Sequence, residues 1–163
     1  MKIEFQPLFT KQRELDEEIQ RRYNVTYEET LERRFLSLYV EIGELANATR
    51  CFKYWSNKPS EPRDMVMDEY ADGLHFLLSI GIALGIKTTS FNQKETTEDL
   101  SNLFIEMYHD IDLLHEKKNE DTYQKTFETF LLIASKLMMD KDDIYSSYLL
   151  KLGENYHRQE TNY

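Results

Sequence analysis

Between Thr26 and Thr49 the apolar residues Leu31, Phe35, Leu38, Ile42 and Leu45 fall at alternating steps of four and three, and Thr49 continues the row. That spacing puts them on one side of a 3.6-residue helix and splits them between the two faces of a strand. A long helix with one apolar face must lay that face against other elements, so this stretch commits the chain to helix packing. Its start, "TYEE", fits a capping box in which Thr26 and Glu29 satisfy free amides.

The same reading extends along the chain. A first helix is expected from about Pro7 to Tyr23, with Leu8, Leu15 and Ile19 in register. "SNKPSEPR" (56–63) is a loop, because two prolines break the pattern. A third helix runs to about Leu84 and ends near Gly85, and residues 87–95 read as a linker. A fourth starts near Thr96, whose spacing to Asp99 suggests a cap, and buries Leu100, Leu103, Met107, Ile111 and Leu114. A fifth covers about Thr122–Met139, and a sixth begins after Asp140. With only 5 Gly and 3 Pro, the chain lacks the punctuation of a β-rich fold, and no strand is expected. The fold class is therefore all-α, a bundle of about six helices in one domain over residues 1–163.

Charge narrows the partners. The 30 acidic against 20 basic residues give a net charge of −10, and no long Lys/Arg run offsets it, which argues against a nucleic-acid partner. An acidic excess serves solubility or a site for several divalent cations. Cys51 is the lone cysteine, so no intrachain disulfide can form, and it reads as structural. The N-terminal residues turn charged too quickly for a signal peptide, and "LLSIGIALGI" (77–86) is too short to span a bilayer. A cytoplasmic protein with no membrane partner is expected.

Glu41 and Glu44 in "EIGEL" each precede a core position by one residue, about 100° around the helix from the buried stripe. Glu69 and Asp72 in "EYADGLHF" repeat the spacing on the next helix, with Phe76 one turn beyond. If the two helices pack antiparallel, four carboxylates converge, and hard divalent cations are what would neutralise them. Glu14/Glu17, Glu29/Glu32 and Glu95/Glu98 share the spacing, so a solvated face stays open on spacing alone.

"EIGELANATRCFKYWS" followed by "DEYADGLHFLLSIG" resembles the paired E-x-x-E and E-x-x-D motifs of the all-α nucleoside triphosphate pyrophosphatases, the MazG-like superfamily. The wording is more narrowly similar to the dimeric dUTPases of bacteria and their phages. "KLGENYHRQETNY" resembles that family's K-x-x-x-N-x-x-R-Q-x-x-G-Y tail at Lys151, Asn155, Arg158, Gln159 and Tyr163, with Asn162 replacing its glycine. "LFTKQRELDEEI" is similar to the family's first helix, with Gln12 and Asp16 at its polar positions.

The resemblance implies a homodimer that hydrolyses dUTP to dUMP and pyrophosphate, limiting uracil in DNA. Glu41, Glu44, Glu69 and Asp72 would hold two or more Mg2+ ions, with Mn2+ as a substitute, and Glu41 would also activate the attacking water. Lys151, Asn155 and Arg158 recur at four and three residues. The two cations suit phosphate oxygens, and the amide suits a base or sugar edge. Lys53 joins the phosphate-binding candidates. Phe76 and Trp55 are the candidates for stacking on the base, and Gln12, Asp16 and Asn155 for reading the nucleoside. No P-loop is present, so phosphate binding rests on metals and cations.

Three rivals stand beside this reading: the same chemistry on dCTP or a modified nucleotide, a di-iron carboxylate bundle, and a non-catalytic helical module. The second draws on the E-x-x-H pairs Glu106/His109 and Glu154/His157, with Asp72/His75 and Asp112/His115 as near misses. His109 should face away from its helix's core stripe, so the histidines are expected at surfaces and caps.

Overall fold

The computed structural model describes residues 1–161. Helix α1 (Gln6–Tyr23) stops at Asn24, which turns into the left-handed region at φ 53°. Helix α2 (Tyr27–Thr49) opens with Thr26 in extended backbone, its hydroxyl accepting from the Glu29 amide at 3.1 Å. The reciprocal half of the expected box is replaced, since the Glu29 carboxylate takes the Thr26 hydroxyl at 3.3 Å. Phe35, Leu38, Ile42 and Leu45 are buried along the predicted face.

Helix α3 (Arg63–Ala83) is apolar on nearly all sides, burying Val66, Tyr70, Leu74, Leu77, Leu78, Ile80 and Ile82. Such a helix belongs in the middle of a bundle, and α3 contacts both α1 and α2. It runs antiparallel to α2: Arg34 donates to Ser79, Ile42 packs beside Gly73, and the Glu61 amide donates to the Ala48 carbonyl. This pairing brings "EIGEL" opposite "EYADGLHF".

The remaining helices are α4 (Leu100–Lys117), α5 (Glu120–Lys136) and α6 (Lys141–Glu160), making six among the described residues. Three boundaries differ from expectation. Helix α4 starts at Leu100 because the Thr96 hydroxyl accepts from Glu98 within a local turn instead of capping a helix. Helix α5 starts two residues early, at a reciprocal Asn119–Thr122 capping box, and ends before Met138, which adopts φ 58°. Helix α6 starts as expected after Asp140, which forms a reciprocal box with Asp143.

The expectation of no strand is corrected. Strands β1 (Lys2–Glu4) and β2 (Ser90–Asn92) pair antiparallel with Ile3 opposite Phe91, so residues 87–95 are more than a linker. Three residues are too few to show an alternating pattern in sequence. Tertiary contacts hold the segment: Glu128 accepts from the Asn92 amide and Glu120 from the Lys87 amide. The class remains all-α. No helix among the described residues is long and apolar enough to cross a membrane.

Packing behind the site is tight. Tyr70 stacks on Phe130 at 4.0 Å, and Tyr123 donates to the Leu77 carbonyl at 2.6 Å. A Cβ at Gly81 would overlap the Tyr123 ring. Gly81→Ala is therefore expected to cost about 1–3 kcal/mol, read as a lower urea midpoint at unchanged slope.

Candidate active site

The antiparallel α2/α3 pair sets Glu41 against Glu69 and Asp72, and one oxygen of each lies within 4.8 Å of the other two. Glu41 Oε2 and Glu69 Oε2 are buried and accept no hydrogen bond. Buried carboxylate oxygens without donors are costly, and within the trio only Asp72 has a cation bonded to it, the Lys151 ammonium at 3.1 Å. Glu44, the fourth expected acid, stays exposed outside the trio and borders an outer groove with Val40, Met65 and Glu69.

The electrostatics follow. Burial, then the carboxylate of Glu44 and the charges of Asp72 and Glu69, pushes Glu41 up to about 8. Burial, then Asp72, Glu44 and Asp68, pushes Glu69 to about 7 against the opposing pull of Lys151. Burial also raises Asp72. A glutamate in the unfolded chain titrates near 4.5, so between that pH and about 8 the folded state holds more protons. The stability these groups contribute is present below 4.5 and lost as pH rises through 7 and 8. The metal-free protein is therefore expected to melt at a lower temperature at about pH 8.5 than at about pH 6, and a divalent cation should reverse the loss. Thermal scans at the two pH values, with and without Mg2+, check this.

Beside the trio lies a cavity of about 430 Å3 between α1, α2, α3 and α6. Glu41 and Asp72 form one wall, and Gln12, Asp16, Phe76, Asn155 and Arg158 also line it. Five residues expected at a nucleoside or phosphate from separate parts of the sequence thus meet around one space.

Residues 4–163 match the family model described as dUTPase. The chain belongs to the dUTPase family. It is accordingly a dUTP diphosphatase, a hydrolase acting on a nucleoside triphosphate. No functionally curated protein matches it.

In this dUTPase the cavity floor is a buried network. Asp16 accepts from Gln12 Nε2 at 2.9 Å, Tyr27 at 3.0 Å and Ser79 at 2.8 Å, and lies 3.5 Å from the Arg34 guanidinium. Arg34 also donates to Thr30 and covers the Tyr27 ring. Asp16 is therefore spent on protein partners. Gln12 is held from both ends, since its Oε1 accepts from Tyr148 at 3.0 Å, and this fixes which way its amide points.

Lys53 and Trp55 do not join the cavity. Lys53 sits over the Phe52 ring, and Trp55 is 64% exposed, edge-on to Tyr54. Arg50, at φ 58°, turns the chain off the C-terminal end of α2, whereas the cavity uses Thr30, Arg34 and Ser37 nearer its start. Lys151 is also placed unexpectedly: it is 3% exposed and faces acids, bonding Asp68 and Asp72.

Residues missed in the sequence complete the walls. His75 is buried, stacked on Tyr148 at 4.2 Å, with both ring nitrogens unpartnered. This corrects the expectation of surface histidines. Burial lowers its pKa to about 3, so it is a neutral donor and acceptor facing the cavity. Arg34 had a readable signal, because Thr30, Arg34, Ser37 and Glu41 form a polar row at steps of four, three and four. His109 and His157 are exposed, so neither E-x-x-H pair points inward as di-iron ligation requires. His115 pairs with Glu32 on the surface, and Cys51 is a half-buried free thiol. Gln159 lines the cavity, while Asn162 and Tyr163 of the tail motif lie outside the described residues.

Proposed function

We propose that this dUTPase cleaves dUTP to dUMP and pyrophosphate by direct attack of water, with Mg2+ held by Glu41, Glu44, Glu69 and Asp72. One observation carries the reading: two buried, donorless carboxylate oxygens sit in an acid trio of which Glu41 and Asp72 wall a nucleotide-sized cavity. An all-oxygen donor set suits a hard divalent ion, two or more of them with Glu44 included, and Mn2+ would substitute. Bound there, Mg2+ supplies Lewis acidity toward the phosphate oxygens.

The chain's own residues do the rest. Glu41 orients the attacking water and takes its proton as the bridge between the α- and β-phosphates breaks. Arg158 and Lys151 offset charge on the phosphates, with no covalent enzyme intermediate. Gln12, locked by Asp16 and Tyr148, presents its remaining N–H and lone pair to the nucleoside, with Asn155 and His75 as further polar contacts. Phe76 is the stacking surface. Phe76→Ala is expected to weaken nucleotide binding by about 1–3 kcal/mol, measured as the Kd of dUMP by calorimetry, with the helical signal unchanged. Trp55 and Lys53 act at the nucleotide only if the loop 50–55 reaches a cavity other than its own.

The protein is a cytoplasmic, single-domain homodimer in this reading. Leu36, Val40 and Met65 are exposed apolar side chains on α2 and α3, suited to burial against a second copy, and light scattering measures the mass. The deciding assay is pyrophosphate release from a nucleotide panel with Mg2+. Release from dUTP alone supports the reading, and release from dCTP without dUTP overturns the substrate.

A further inference from the structure

We propose that Lys151 is the built-in counter-ion of the metal-free site, and that it couples divalent-cation loading to nucleotide loading. The inference rests on the metal-site reading of Glu41, Glu69 and Asp72. Lys151 projects from α6 with its Nζ 2.9 Å from Asp68, 3.1 Å from Asp72 and 3.4 Å from Glu154. A lysine this buried is tolerable only when paired, and three acids pair it.

Of those acids only Asp72 belongs to the trio. A divalent ion that takes Asp72 must compete with a lysine already bonded to it. Asp68 and Glu154 lie outside the trio and remain as partners when Asp72 is lost, so Lys151 has somewhere to stay. An incoming triphosphate draws the same ammonium group away from Asp72 and so opens the acid to the ion. Nucleotide and metal then strengthen each other's binding by the same factor, as linkage requires. Reading Lys151 as a phosphate ligand alone does not predict that its loss improves metal binding.

The test is Mn2+ binding to the nucleotide-free protein, followed by calorimetry and by loss of the free-ion paramagnetic resonance signal. Lys151→Met is expected to bind Mn2+ at least ten-fold more tightly than the parent. Arg33→Met removes a charge that lines the cavity but bonds the Glu29 carbonyl rather than Asp72, and should change affinity less than two-fold. Adding α,β-imido-dUTP should tighten Mn2+ binding in the parent and much less in Lys151→Met. If Lys151→Met does not fold, Lys151→Gln, which keeps a hydrogen bond to Asp68 or Asp72 without the charge, takes the same comparison.

Equal affinity in parent and variant, or an equal gain in Arg33→Met, overturns the coupling. Glu69→Gln separates the two levels of the argument. If it binds Mn2+ as the parent does, the ion is not in the trio, and the metal-site reading falls together with the inference. Loss of Mn2+ in Glu69→Gln, with no gain in Lys151→Met, overturns the inference alone.

Discussion

Replacing Glu69 by glutamine is expected to lower dUTP turnover by about a thousand-fold or more while leaving the fold intact. The substitution preserves shape and removes one of the charges that a cation needs. It also removes a source of repulsion, because Glu69 sits beside Asp72, Glu44 and Asp68 in a partly buried position. The metal-free variant should therefore melt no lower than the parent at about pH 8, the opposite of what loss of a stabilising group produces. Pyrophosphate release and a thermal scan together check this. Turnover near that of the parent would remove Glu69 from the site.

Asp16→Ala is the second large effect, and it is one of stability. Asp16 and Arg34 are 4% and 12% exposed, and Asp16 also accepts from Gln12, Tyr27 and Ser79. Truncation leaves the largely enclosed Arg34 guanidinium without its carboxylate and three donors without their acceptor, for an expected loss of about 3–5 kcal/mol in urea unfolding. Asp16→Ala/Arg34→Met should recover part of that loss, since no charge is then left unpaired. Both variants should raise the KM for dUTP, because Gln12 loses the partner that orients its amide. A loss below about 1 kcal/mol would mean that water already serves these donors.

The acid trio was partly readable: an i, i+3 spacing puts two carboxylates on one helix shoulder in "EIGEL" and in "EYADGLHF", but it left a solvated face open and did not show that Glu44 would stay outside. The buried network was not. Asp16, Tyr27, Arg34 and Ser79 come from three helices, and Asp16 read as a nucleoside contact because nothing near it in the chain shows which partners it is spent on. His75 was hidden for a related reason: on a helix apolar nearly all round, a histidine's neighbours are decided by whichever helix covers that side, here Tyr148 of α6. Strand β2 escaped notice because its pairing with β1 joins residues some ninety positions apart.

Local periodicity and end chemistry thus settled the helical class, most helix boundaries and the acids that share a face, since each depends on residues within a turn or two of one another. Tertiary packing alone decided the rest. It left Glu44 at the rim of the trio, turned Trp55 and Lys53 away from their own cavity, and seated Lys151 against Asp72. Those outcomes depend on how α2, α3 and α6 cross. The crossing is set by the summed burial of their apolar faces, to which no single polar residue in the site contributes enough to announce its own place.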